Sequence, residues 1–293
     1  MMLDYEEPVF RPPSEAYSLI LQVTYGCTWN KCAFCEMYPK KKFRTRNIDD
    51  VVNEIKDAAK YASDIRKVFL CDGNPMCLST GKLLKVLCAV KEYLPQVRRV
   101  SAYALPADIL RKSDEELKEL YDAGLKLLYV GIESGDDELL KLIDKGETFK
   151  STVEGLVKAQ AAGMQNSVMI INGLGGKKYY KQHALNSANI LNAIQPFYAS
   201  TLVLSFPFGV ERFRERFKGE YEEMSIRDLL EEMKIFIGNM ELNGTIFRSD
   251  HASNYLVLKG VLSKDKDRML NDLEFALNNP EMAKLRPEWM RGL

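Results

Sequence analysis

The sequence predicts an α/β fold, a partial (β/α)6 TIM-like barrel followed by a C-terminal extension. Short apolar runs rich in β-branched and aromatic residues alternate with longer segments of helical spacing, and the alternation completes six strand–helix units. Six parallel units suit an open barrel better than a closed eight-fold one. With 293 residues, 46% of them hydrophobic, the chain can bury the core this architecture needs.

The first strand is SLILQVTYG, residues 18–26, which runs directly into Cys27. NIDDVVNEIKDAAKYA repeats apolar positions at three and four residues behind Asn47 as N-cap, so it is a helix. RKVFLCDG is a strand, STGKLLKVLCAVKEYL a helix, and RRVSAYALP a strand ended by Pro106. SDEELKELYDAG is a helix with Ser113 and Glu116 as a capping box and Gly124 as terminator. LKLLYVGIESG is the fourth strand, followed by the helical stretches DDELLKLID and KSTVEGLVKAQAAG. QNSVMIING is the fifth strand, residues 179–193 a helix, YASTLVLSF the sixth strand and residues 225–242 the last helix of the series.

Beyond it, NGTIFRSDHASNYLVLKGVLSKDKDRMLNDLEFAL holds an apolar run, a polar cluster and a final helix. No linker rich in Gly, Ser or Pro divides the chain. The expected organisation is a core barrel with its N-terminal segment over residues 1–243 and an extension packed on it over residues 244–293.

The 41 basic and 41 acidic residues cancel, so the overall charge requires neither a nucleic acid nor an anionic membrane as main partner. The opening MMLDYEEPVFRPPSEAY is acidic and broken by prolines, unlike a secretory signal or membrane anchor. No apolar run reaches the length of a membrane span. These features predict a cytoplasmic protein with no membrane partner, whose six cysteines are thiols or metal ligands rather than disulfides.

Cys27, Cys32 and Cys35 form a C-x4-C-x2-C pattern in GCTWNKCAFCEMY, directly after the first strand. Three thiolates suit a [4Fe–4S] cluster with one iron left open. A structural zinc site is the sharpest rival, because C-x2-C is also a zinc spacing. Zinc needs a fourth ligand, however, and His183 and His251 are remote while Cys71, Cys77 and Cys88 supply no second C-x2-C. Incidental cysteines are the third reading. Cys88 falls on an apolar helical face where a small buried hydrophobe is expected.

The cysteine string resembles the cluster loop of the radical SAM superfamily, whose usual spacing is C-x3-C-x2-C with an aromatic residue before the last cysteine, here Phe34. This chain has one extra residue between the first two cysteines. GCTWNKCAFCEMY, the basic loop after it, FLCDG, VGIESGDDELL and INGLGG together resemble the oxygen-independent coproporphyrinogen III oxidase-like group, in which the longer spacing recurs. The resemblance runs from about residue 15 to about residue 275. It implies an oxygen-sensitive enzyme that uses the [4Fe–4S] cluster to cleave S-adenosylmethionine (SAM) and generate a 5′-deoxyadenosyl radical. It also implies a reducing electron donor such as flavodoxin or ferredoxin.

Residue by residue, the resemblance places backbone carbonyls of Asp72 and Gly73, after the second strand, at the SAM amino group. Glu133 and Ser134, after the fourth, approach SAM, with a ribose hydroxyl or the methionine ammonium as target. Asn172 and Gly173, after the fifth, carry the adenine by backbone contacts. All follow the C-terminal ends of strands, where parallel barrels bind ligands. On their own chemistry, DGNP is a good turn, Glu133 suits the start of the following helix, and NGLGG lacks the spacing of a dinucleotide fingerprint.

Two polar strings complete the candidates. KKKFRTR, residues 40–46, is either a solvated loop or a contact for the SAM carboxylate, a substrate acid or a nucleic-acid backbone, with Arg46 as the best single residue. Arg248, Asp250 and His251 in RSDHASN gather groups able to donate, accept and exchange protons, which makes them candidate catalytic residues; a self-capped turn is the plain alternative. His183 is either a further member of that group or an exposed helix residue. The expected substrate is a small molecule, with an RNA-modifying enzyme and a non-catalytic metal-binding protein as alternatives.

Overall fold

The computed structural model describes residues 4–61, 63–206 and 209–292. In chain order its elements begin with β1 (Leu19–Gln22), β2 (Thr24–Tyr25), β3 (Arg44–Thr45), α1 (Ile48–Ala59), β4 (Lys67–Cys71), α2 (Thr80–Tyr93) and β5 (Arg99–Tyr103). They continue with α3 (Pro106–Leu110), α4 (Asp114–Asp122), β6 (Leu125–Glu133), α5 (Asp137–Leu142), α6 (Phe149–Ala161), β7 (Gln165–Asn172) and α7 (Gly176–Ile194). The last are β8 (Tyr198–Val203), α8 (Glu211–Arg216), α9 (Ile226–Gly238), β9 (Ile246–Ser249), β10 (Leu258–Val261) and α10 (Leu262–Asn278).

Eight strands form one open, mostly parallel sheet in the order β1-β4-β5-β6-β7-β8-β9-β10. The six expected parallel strands are all there. The difference lies after them: the segment read as an extension supplies two more strands. β9 continues the parallel series beside β8, with Tyr198 opposite Ile246, and β10 returns antiparallel with Leu258 opposite Ser249. In β9, Phe247 and Ser249 are buried while Arg248 is exposed, the period of a half-buried strand. Four residues are too few for that period to stand out in sequence.

Contacts divide the chain into two compact units. The first comprises Met1–Asn30, Cys35–Val130 and Glu154–Asn166. Its strands β1, β4 and β5 are in parallel register, Leu19 opposite Val68 and Lys67 opposite Arg99. All four residues of β1 are buried, as expected for a parallel strand covered on both faces. On one side Ile20, Phe69 and Cys71 pack with Tyr103 and Tyr129, and the N-terminal segment covers them with Tyr5 and Val9. Asn47 caps α1 by accepting from the Asp49 amide, and Ser113 and Glu116 make the expected capping box. Pro106 does more than end a strand: it opens the short helix α3 at a position where its missing N–H costs nothing.

The second unit comprises Lys31–Phe34, Gly131–Val153 and Ser167–Leu293. Here β7 and β8 pair in parallel from Ser167 opposite Tyr198 to Asn172 opposite Val203, and α9 packs against α7 and α10. A Ser225–Asp228 capping box starts α9. A separate apolar cluster joins Ala33, Leu139, Leu140, Leu174, Phe213 and Phe217, with Phe34 against it.

Candidate cofactor site

The cysteine loop is closed at its base by a short hairpin absent from the sequence reading, in which Thr24 pairs with Thr45 and Tyr25 with Arg44. The single strand expected over residues 18–26 is interrupted at Val23, which lets the chain leave the sheet after Gln22 and re-pair with β3. The turn after β4 pins this base. Asp72 is fully buried, and its Oδ2 accepts from the Gly26 amide at 3.1 Å, Gln22 Nε2 at 3.3 Å and Lys41 Nζ at 3.1 Å. The Gly73 amide donates to Gly26 O at 3.1 Å. A Cβ on Gly73 would lie 2.7 Å from Cys27 Cβ and 2.9 Å from Tyr38 Cε2, so only glycine lets the turn lie flush against the first cysteine.

KKKFRTR divides into two classes. Lys40, Lys42 and Arg44 are exposed, as a solvated loop requires, but Lys41 and Arg46 are buried. Lys41 neutralises Asp72 and also donates to Pro8 O at 2.6 Å. The Arg46 guanidinium is committed to Glu54, at 3.0 and 2.6 Å, and to Gln22 O at 3.0 Å. Both hold the stems of the cysteine loop.

Cys27, Cys32 and Cys35 are each half-buried. Cys27 and Cys35 belong to the first unit, whereas Cys32 lies in the Lys31–Phe34 segment of the second. That segment is fixed by a 2.8 Å hydrogen bond from the Ala33 amide to Ile143 O and by Arg216 Nη2 donating to Lys31 O at 3.0 Å. Among the described residues, no three His, Cys, Asp or Glu side chains are gathered closely enough to form a ready metal group. The donor set still fits an iron–sulfur cluster: three soft thiols within nine residues of an irregular loop, none packed away like Cys71. Cys88, expected on a buried face, is exposed on α2. Its position in the helical repeat falls at the border of the apolar stripe, and a small side chain there can face either way.

At the end of β6, Glu133 holds φ +67°, a conformation strained for a side chain of its size. Its Oε1 lies 3.0 Å from Lys145 Nζ, with both side chains buried, while Oε2 has no hydrogen-bond partner. Lys145 Nζ also stands 5.8 Å from the centre of the Phe34 ring. Sequence reading missed Lys145. Its only signal was a lysine closing the run DDELLKLIDKG, and nothing in that run announces a buried cation.

Ser134 is fully buried, with its Oγ 2.8 Å from His183 Nδ1 and accepting from the Asp136 amide at 3.0 Å. His183 is therefore neither exposed nor part of the RSDHASN group. Burial pushes its pKa down to about 4, so the ring is neutral. Its Nε2 sits 3.0 Å from Ile171 O, which can only accept, so Nε2 carries the proton and Nδ1 accepts from Ser134 Oγ.

After β7, Asn172 Nδ2 and the Gly173 amide each donate to Glu232 Oε1 at 2.9 Å. Glu232 is buried on α9, and burial raises its pKa to about 8 against the opposing effect of those two donors. Glu232 was also absent from the sequence reading.

Arg248 is exposed on β9, 5.8 Å over the Tyr198 ring, and Asp250 is exposed. His251 Nδ1 bonds Ser253 Oγ at 2.8 Å, and the Asn254 amide donates to His251 O at 3.0 Å. Two side chains of the string also reach outside it: Asn254 Nδ2 donates to Thr201 O at 2.9 Å and Ser253 Oγ accepts from the Val203 amide at 3.1 Å.

The sequence profile of the Radical SAM superfamily matches residues 21–185, more than half of the chain. The chain belongs to the radical SAM superfamily. Enzymes of this family use a [4Fe–4S] cluster and SAM. Two curated relatives of this radical SAM chain are the heme chaperones HemW of Bacillus subtilis (strain 168) and of Lactococcus lactis subsp. lactis (strain IL1403). The first is 27% identical over 173 residues, 58% of this chain and 45% of the relative. The second is 23% identical over 172 residues, 58% of this chain and 44% of the relative. The matched region thus spans less than half the length of these relatives. Among solved structures, coproporphyrinogen III oxidase HemN from Escherichia coli superposes with a TM-score of 0.56 at 14% identity, over 75% of this chain and 52% of that one. Methylornithine synthase PylB superposes with a TM-score of 0.52 at 16% identity, over 92% of this chain and 83% of that one. At these identities the likeness is one of fold, the partial barrel shared by radical SAM proteins. No helix among the described residues is long and apolar enough to cross a membrane.

Proposed function

We propose that this radical SAM chain is an enzyme that holds a [4Fe–4S] cluster through Cys27, Cys32 and Cys35 and binds SAM through Glu133, Lys145 and the Asn172–Gly173 loop. The observation that carries the reading is the cysteine loop itself: its three thiols stand clear of the core while Asp72, Lys41 and Arg46 fix both of its stems. Cluster and SAM together would supply one-electron cleavage of a carbon–sulfur bond, releasing methionine and a 5′-deoxyadenosyl radical.

The protein's own contribution is to bind, orient and keep dry. Lys145 pairs with Oε1 of Glu133, and the unpartnered Oε2 is suited to accept from a ribose hydroxyl or an ammonium. The neutral His183 ties Ser134 to β7 and so fixes the chain just beyond Glu133. The apolar cluster of Ala33, Leu174 and Phe213 keeps the Lys31–Phe34 segment packed and dry.

For the substrate, the names of the HemW relatives support a small molecule of the tetrapyrrole class, and a flavodoxin- or ferredoxin-like reductant would provide the electron. An RNA substrate is the weaker reading, because Lys41 and Arg46 of KKKFRTR are buried and committed. Anaerobic reconstitution tests the proposal. Iron close to four per chain and 5′-deoxyadenosine formed from SAM plus dithionite are expected, and both are lost on replacing any of the three cysteines by alanine. A chain that takes up zinc in preference, or that forms a cluster without cleaving SAM, is not this enzyme.

A further inference from the structure

We propose that Glu232, on α9, is the positioning residue for the Asn172–Gly173 loop and thereby sets the affinity for the adenine half of SAM. The inference rests on the proposed function for taking that loop as the SAM-facing one; the loop's attachment to Glu232 is independent of it.

Gly173 turns out of β7 at φ +86°, one residue beyond Asn172 opposite Val203, where the strand ladder ends. A buried amide so turned needs a new acceptor. Glu232 Oε1 provides it at 2.9 Å and receives Asn172 Nδ2 at the same distance. Asn172 also reaches Leu229 O, one helical turn earlier on α9, at 3.4 Å. The carbonyl of Gly173 is held in turn by Tyr221 Oη, which donates at 3.3 Å. Both peptide groups that could face a ligand are therefore oriented from outside the loop. Without Glu232, the Gly173 amide and the Asn172 side chain lose a shared acceptor, and the φ of Gly173 is no longer dictated.

The surroundings of Glu232 go beyond what a plain fastening requires. Its Oε2 is buried without a partner, and so is Thr201 Oγ1. Both residues line a cavity of about 10 Å³ shared with Asn172, His183 and Ser187, room for about one water molecule. His183 Nε2 lies 3.5 Å from Glu232 Oε1, so the same carboxyl group adjoins the histidine that holds Ser134. One buried side chain thus holds the loop after β7 directly and adjoins the histidine that holds Ser134 after β6. Glutamine could serve both donors through its own Oε1 and keep a polar group facing the same cavity, which makes Glu232→Gln the conservative variant.

The experiment compares wild type, Glu232→Ala and Glu232→Gln as reconstituted holoenzyme, with SAM affinity by equilibrium titration and residue-resolved amide exchange at Gly173. Glu232→Ala is expected to weaken SAM binding at least tenfold, to raise KM for SAM far more than it lowers kcat, and to speed exchange at Gly173 at least tenfold while the β8 amides keep their protection. Glu232→Gln should recover wild-type affinity within about threefold, because its own Oε1 keeps both the Gly173 amide and Asn172 Nδ2 as donors. Unchanged affinity in Glu232→Ala overturns the inference, as does exchange that rises equally across β7, β8 and α9, which would mark a merely structural residue. A wild-type chain that binds no SAM overturns the proposed function, and exchange at Gly173 then decides the loop-holding part by itself.

Discussion

Lys145 Nζ and Glu133 Oε1 lie 3.0 Å apart with only 7% of either side chain exposed, at a strand end whose backbone is already strained at φ +67°. Removing one partner of such a pair leaves the other charge uncompensated in the interior. Lys145→Ala is therefore expected to destabilise the chain by about 3–5 kcal/mol, read from urea unfolding. The double variant Lys145→Met, Glu133→Gln should lose far less, because no lone charge remains. A Lys145→Ala variant as stable as wild type would show that water reaches the pair.

The contact between Gly73 and Cys27 makes a different demand. A methyl group on Gly73 would meet Cys27 Cβ at 2.7 Å and the Tyr38 ring at 2.9 Å, and Tyr38 is buried. Gly73→Ala should cost about 1–3 kcal/mol, the usual range for overpacking, and displace the first cysteine. The expected signature is a lower melting temperature together with iron incorporation reduced more than twofold, measured by iron analysis after reconstitution. Normal iron content would mean that the turn yields and Cys27 does not.

The strands were legible because each is a short run of β-branched and aromatic residues bounded by turn residues, and the helices because their caps are written in side chains such as Ser113 and Glu116. Features made by distant pairs were not. Glu232 meets Asn172 and Gly173 across 60 and 59 residues of chain, and Lys41 meets Asp72 across 31. No local pattern records that a lysine among four other basic residues is buried against an aspartate. The hairpin of β2 and β3 escaped for a related reason: two residues on each side carry no periodicity, and its pairing depends on the loop it closes.

The three cysteines outside the loop differ in environment, and their reactivity should follow. Cys88 is exposed; burial pushes the Cys77 thiol up to about 11 and raises Cys71, which Asp72 disfavours further, higher still. Alkylation proceeds through the thiolate, so iodoacetamide at pH 8 should modify Cys88 first, Cys77 slowly and Cys71 only on unfolding. Peptide mass analysis over time checks the order. Modification of Cys71 at the rate of Cys88 would contradict its burial.

The pH dependence of stability should carry the mark of Glu232 and His183. Burial raises Glu232 from 4.5 to about 8, so between those values the folded chain holds a proton that the unfolded chain has released. Stability therefore falls as pH rises through that window. Burial lowers His183 from 6.5 to about 4, with Asp136 opposing, so between those values the unfolded chain holds the extra proton and stability rises with pH. The two slopes cancel where the windows overlap, from about 4.5 to 6.5, and above that Glu232 acts alone. Thermal unfolding should thus show a melting temperature that declines between pH 6.5 and pH 8. Glu232→Gln, which cannot ionise, should flatten that decline while leaving the loss below pH 4.5 to the ordinary carboxylates. A decline of equal slope in the variant would assign it to other groups and place the Glu232 carboxyl in contact with water.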